Sequence, residues 1–228
     1  MVTGHYGSGK TNLAVNLALD SLGCNGVTLV DLDIVNPYFR SSDYEHQLEQ
    51  RGVHVVAPRF AGTTQDVPSL SAEVYATFES EGRVIFDAGG DDVGATVLGR
   101  FARNLDAIGY EMLYVINRYR NLTSTAQEAA DLLREIEAAS HLKATAIVNN
   151  SHLRNETTPA TTLASLDFAR ETAELLGLPL VCTTIPKRLA GQFSDTPGDP
   201  TYVENAYPIE VYVRTPWEED PWVDEEVL

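Results

Sequence analysis

Short apolar, β-branched runs recur along the chain, and longer segments with helical spacing lie between them. The runs at 26–33 (GVTLVDLD), 53–58 (VHVVAP), 83–90 (RVIFDAGG), 111–117 (EMLYVIN), 143–150 (KATAIVNN) and 178–186 (LPLVCTTIP) are bounded by Gly, Pro, Asn or Asp, as strands are. Residues 11–22, 70–79, 96–104, 124–139 and 162–176 repeat their apolar positions at helical period. Ser124 and Gln127 stand at capping-box spacing, which predicts a helix start there. Strands alternating with helices imply βαβ units on a parallel sheet. The expected fold is α/β: a three-layer α/β/α sandwich of six or seven strands with a mainly parallel sheet. Ligands are expected at the carboxyl ends of the strands. The first strand has only MVT before the first glycine, so either it is unusually short or the natural chain begins further upstream.

Length and composition change this picture little. With 228 residues, no internal repeat and no low-complexity linker, the chain reads as a single domain over 1–228. Apolar residues at 43% and charged ones at 21% exclude a disordered or fibrous class. No segment approaches the roughly 20 unbroken apolar residues of a membrane-spanning helix, and the basic-then-apolar profile of a signal peptide is lacking. A cytoplasmic location is expected. Cys24 and Cys182 lie far apart with no CxxC and no Cys/His cluster, so both are expected as small core hydrophobes.

Charge matters more. The formal net charge of −17 sets 33 acidic residues against 16 Lys and Arg. Such a field repels phosphate backbones and anionic lipid, and no basic cluster counters it. Neither nucleic acid nor a membrane is an expected partner. The closing stretch PWEEDPWVDEEVL reads as an acidic, flexible tail at about 215–228.

Residues 3–12, TGHYGSGKTN, carry the spacing G-x-x-x-x-G-K-T from Gly4 to Thr11. Glycines let consecutive backbone N–H groups turn inward on a phosphate, and the following helix adds the positive end of its dipole. Gly4, His5, Tyr6, Gly7, Ser8, Gly9, Lys10, Thr11 and Asn12 are therefore candidates for holding a nucleotide. Lys10 would neutralise the β- and γ-phosphates, and the Thr11 hydroxyl would coordinate Mg²⁺. A triphosphate with Mg²⁺ also needs carboxylates near the strand ends. VDLDIVNPYFR supplies Asp31 and Asp33, and VIFDAGGDDVGA supplies Asp87, followed by Gly89, Gly90 and Asp91. An apolar run leading into an Asp is a Walker B pattern. A turn- or cap-forming role is the alternative for any one of these acids.

Together, GHYGSGKTNLAVNLA, VDLDIVNPYFR and VIFDAGGDDVGA resemble the MinD/ParA group (CobQ/CobB/MinD/ParA domains) of P-loop nucleotide-binding proteins, relatives of the nitrogenase iron protein. The resemblance covers about residues 1–190. It implies a P-loop NTPase fold and ATP and Mg²⁺ as cofactors. It makes Asp33 the switch I aspartate that positions the hydrolytic water, Asp87 the Walker B aspartate near Mg²⁺, and Asp91 part of the switch II segment that senses the γ-phosphate. Catalysis would rest on Lys10, Asp33 and Asp91, and the metal on Thr11, Asp31, Asp33 and Asp87. The IVNN stretch resembles the adenine-reading element, which makes Asn149 or Asn150 the base contact, with a strand-ending turn as the alternative. One departure is His5, which stands where the family carries a second lysine that reaches across a dimer. A neutral imidazole does not replace that cation, and His5 either faces solvent or contacts phosphate. The absence of paired cysteines argues against a cluster carrier.

The expected function is a nucleotide switch with slow Mg-dependent ATPase activity, acting on a protein partner or as a homodimer. DIVNPYFRSSDYE, with Pro37, two aromatics and Arg40, is the expected moving piece. One alternative is an ATP-dependent small-molecule kinase or ligase, similar to dethiobiotin synthetase, in which Arg40, Arg59, Arg118 and Arg120 would take an anionic substrate. The other is a nucleotide-binding scaffold that does not hydrolyse.

Overall fold

Each apolar run of the sequence becomes a parallel strand in the computed structural model, which describes residues 1–33, 40–57, 72–90 and 92–213. The strands are β1 (Val2–Thr3), β2 (Val27–Asp31), β3 (Val53–Val56), β4 (Arg83–Asp87), β5 (Leu113–Ile116), β6 (Ala146–Asn149), β7 (Leu180–Pro186) and β8 (Ala206–Ile209). They form one sheet in the order β3-β2-β4-β1-β5-β6-β7-β8, with every neighbouring pair parallel. The helices are α1 (Lys10–Asp20), α2 (Glu45–Gln50), α3 (Ala72–Ala76), α4 (Asp92–Gly99), α5 (Ala102–Ile108), α6 (Ala126–Ser140), α7 (Pro159–Leu163) and α8 (Leu166–Leu176).

Successive strand residues point to opposite faces, and both faces are covered. Leu29, Ile85 and Val115 pack with Leu13 and Val15 of α1 on one side. Val30, Phe86 and Tyr114 pack with Leu98 of α4, Leu133 of α6 and Phe168 of α8 on the other. The result is a three-layer α/β/α sandwich around a parallel sheet. β1 spans only two residues yet lies between β4 and β5, so the loop that follows it leaves from the middle of the sheet.

Several details differ from the sequence expectation. The capping box of α6 is formed by Thr125 and Glu128, one residue after the expected pair; the Glu128 carboxylate accepts from Thr125 N–H at 3.0 Å and also holds Ser124. The expected helix at 96–104 is two helices, because the chain turns at Arg100 and buries Phe101 completely. The expected helix at 162–176 is also two, since Thr158 and Pro159 open α7 and the buried Ser165 precedes α8. β8 carries Pro208, a residue that demotes a run to edge status, and it is an edge strand. Cys182 packs half-buried against the α1 side of the core, but Cys24 is exposed, because it falls in the turn that follows α1. Among the described residues no helix is long and apolar enough to cross a membrane. The expected acidic tail, Pro37 and its neighbouring aromatics, Arg59 and Asp91 lie outside the described residues.

Candidate functional site

From Gly4 to Gly9 the chain wraps over the carboxyl end of β1 and enters α1, with positive φ at Gly4, Gly7 and Gly9. At Gly9, φ is +88°, and an added Cβ would run into the Asn150 amide. Only glycine meets both conditions. Ser8 N–H donates to the His5 carbonyl at 3.0 Å, closing the turn. Asn150 Nδ2 donates to the Ser8 carbonyl at 2.6 Å, and Arg120 Nε donates to the Gly7 carbonyl at 2.7 Å. The loop is thus braced from β6 and from the turn after β5. α1 begins with no side-chain cap and no acid in its first turn. Its first amides and the positive end of its dipole are open to an anion.

Beneath the loop lie the acids. β2 and β4 are adjacent and in register, so Asp31 and Asp87 end neighbouring strands side by side. Asp31 is buried, and its oxygens accept from the backbone N–H groups of Asp33 and Ser42, each at 3.0 Å. Burial raises its pKa despite those bonds. With both oxygens engaged, Asp31 braces the turn. Asp87 is the opposite case. It is completely buried, and neither carboxylate oxygen has a hydrogen-bond partner. Burial, followed by the charge of Asp31, pushes its pKa up to about 7, with the Lys10 ammonium and the nearby Thr11 hydroxyl acting the other way. Lys10 is itself buried, and its ammonium donates to the His5 carbonyl at 3.4 Å. Among the described residues no three His, Cys, Asp or Glu side chains converge as a cage for a metal. An ion here would need oxygens from elsewhere, as Mg²⁺ on a triphosphate has.

A cavity of about 170 Å³ opens over the loop, far more than the ~30 Å³ share of one liquid water. It is lined by Tyr6 through Asn12 together with Asp33, and by Asn117, Arg120, His152, Arg154, Val211 and Val213. The two expected base contacts do not line it. Asn149 is buried with Nδ2 donating to the Ser165 hydroxyl at 3.0 Å and Oδ1 accepting from Ser151 N–H at 3.2 Å. Asn150 is spent on the Ser8 carbonyl and on the Thr184 hydroxyl, which donates to its Oδ1 at 2.6 Å. These side chains hold the loop and the end of β6 in place.

Sequence reasoning missed His152, Arg154, Asn117 and the two valines. His152 is buried, its Nδ1 accepts from Arg154 N–H at 3.2 Å, and its Nε2 has no partner. Burial, then the charges of Arg120 and Arg154, lowers its pKa to about 4, so the ring is neutral at pH 7 with its proton on Nε2. Arg188 fixes this turn by donating to the carbonyls of Arg154, Asn155 and Thr157. Of the arginines picked out from the sequence, Arg120 lines the cavity, while Arg118 donates to the Ala164 carbonyl. His5 is half-buried, with Nδ1 enclosed and unpartnered. Burial first, opposed by a hydrogen bond with the Tyr6 backbone and aided by Lys10 and Arg120, pushes its pKa below the usual histidine value. On the same side of the loop, the chain after β4 presses against it. An added Cβ at Gly90 would collide with the Gly4 carbonyl.

No protein-family model matches the chain, and no curated protein matches it in sequence. Solved structures do. The signal recognition particle receptor FtsY of Elizabethkingia anophelis is similar at 16% identity and a TM-score of 0.50, over 90% of this chain and 61% of that one. The same receptor in complex with GDP is 17% identical with a TM-score of 0.49, over 81% of this chain and 56% of that one. The cell division protein FtsY of Thermotoga maritima gives 18% and 0.46, over 80% and 59%. The chain therefore spans about three fifths of the length of these proteins, and the likeness is one of fold.

Proposed function

We propose that the chain binds a nucleoside triphosphate with Mg²⁺, hydrolyses it slowly, and works as a MinD/ParA-like switch that offers different surfaces to a protein partner before and after hydrolysis. The observation that carries this is the Asp87 carboxylate, completely buried with both oxygens unpartnered beside Lys10 and Thr11. A buried carboxylate in that state costs free energy unless a cation or a proton completes it. The open helix N-terminus above it suits the polyanion that brings such a cation. The residues present fit Mg²⁺: Thr11 and Asp87 would hold it, with phosphate oxygens completing its shell. When bound, Mg²⁺ supplies the charge that offsets negative charge building up on the phosphates.

This chain's own groups do the rest. Loop amides and Lys10 orient the β- and γ-phosphates, and Asp33, buried and lining the cavity, positions the attacking water. The contact of Gly90 with Gly4 supports a switch, because a shift of the loop on losing the γ-phosphate is felt directly in the segment after β4. ATP is the proposed nucleotide, on the resemblance to the MinD/ParA group.

Phosphate release from purified protein with ATP and Mg²⁺ tests this. Slow turnover should appear with no other molecule added, and Asp33→Ala should keep its affinity for ATP while turnover falls by about 100-fold. Wild-type turnover in Asp33→Ala would remove the role given to that carboxylate. Release that depends on an added anionic metabolite would replace the switch by a kinase or ligase.

A further inference from the structure

α1 is largely apolar but carries a polar stripe. Asn12, Asn16 and Asp20 stand four residues apart and share one face. All three are spent on the chain in and beyond β8. The Tyr207 hydroxyl donates to Asp20 Oδ2 at 2.5 Å. Asn16 Nδ2 donates to the Glu210 carbonyl and its Oδ1 accepts from Glu210 N–H, both at 2.8 Å. Asn12 Nδ2 donates to the same carbonyl at 2.9 Å, and its Oδ1 accepts from the N–H groups of Tyr212 at 2.8 Å and Val213 at 3.1 Å. The ladder of β8 with β7 ends at Ile209, and the asparagine bonds begin at the next residue. Two buried asparagines thus supply side-chain partners to the backbone of residues 210, 212 and 213.

What this places at the cavity is apolar. Val211 and Val213 are 8% and 6% exposed and line the same space as the phosphate loop. Phosphates gain nothing from two valines, but the flat face of a base or the carbon skeleton of a ribose does. We propose that residues 210–213 form a strap closing the nucleoside end of the cavity, with Asn12 and Asn16 as its positioning residues. The strap, which rests on the nucleotide binding proposed above, recognises a base carried on a polyphosphate and is indifferent to the polyphosphate alone. By linkage, a base that binds against the strap holds it down as strongly as the strap holds the base.

Asn16 does not line the cavity, so Asn16→Ala loosens the strap without touching ligand. Calorimetry would compare ATP with inorganic tripolyphosphate, both with Mg²⁺, and hydrogen exchange would follow the amides of Tyr212 and Val213. Wild-type protein should bind both ligands, with ATP alone slowing exchange at those amides. Asn16→Ala should lose about tenfold in affinity for ATP and change less than about twofold for tripolyphosphate. Val213→Ser, which alters only the cavity wall, should show the same split and serves if Asn16→Ala does not fold. Equal losses for both ligands, no loss at all, or exchange slowed equally by tripolyphosphate would overturn the strap while leaving nucleotide binding intact. Wild-type protein that binds neither ligand would overturn both.

Discussion

Asp87 shows how a single side chain records its intended company. Its pKa is raised to about 7 by burial above all, with the charge of Asp31 second. A carboxyl whose folded pKa lies above its unfolded value holds its proton more tightly in the fold. It burdens stability increasingly as pH climbs from the unfolded value of 3.8 to about 7, and the burden is full above that. Asp87→Asn keeps the shape and removes the charge. In thermal or urea unfolding without ligand, the stability gap in favour of the variant should widen by about 2 kcal/mol between pH 5 and pH 8. A gap that does not change with pH would place the cost elsewhere. Residues of this kind were legible in sequence because loop, lysine, threonine and strand-end acids are each set by local spacing. Asn149, Asn150 and His152 were not. Whether an amide at a strand end faces ligand or protein depends on which distant groups approach it, here Ser8, Thr183, Thr184 and Ser165. The valines of 210–213 carried no local signal at all, because their place is fixed by Asn12, two hundred residues away in sequence.

At the scale of elements, the strands were legible because apolar runs buried on both faces need no partner to declare themselves. Element ends and breaks were less so. The α4–α5 turn exists to bury Phe101, a tertiary gain that helical spacing does not encode. β8 was hidden by Pro208. One contact between elements bears on function. The backbone after β4 approaches the phosphate loop so closely that Gly90 has no room for a side chain. Gly90→Ala should cost about 1–3 kcal/mol by overpacking, measured by denaturant unfolding. It should also weaken ATP binding by displacing the Gly4 carbonyl, which titration of the variant would show. Unchanged affinity together with lost stability would mean that the contact is structural packing and transmits nothing to the ligand.

For the molecule as a whole, alternation of strands and helices foretold the parallel, two-sided sheet, but the strand order required the structure. That order sets β1 between β4 and β5, which puts the phosphate loop at the centre of the carboxyl edge, with β2 and β4 supplying acids beside it. The net charge of −17 acts against any polyanion at long range. Within the cavity, Lys10, Arg120 and Arg154 invert that sign locally. Calorimetric titration of the purified chain with ATP in magnesium buffer tests the central claim most directly. Saturable one-site heat from wild-type protein, lost in Lys10→Ala, is the predicted result. No heat from wild-type protein with either ATP or GTP would contradict the account.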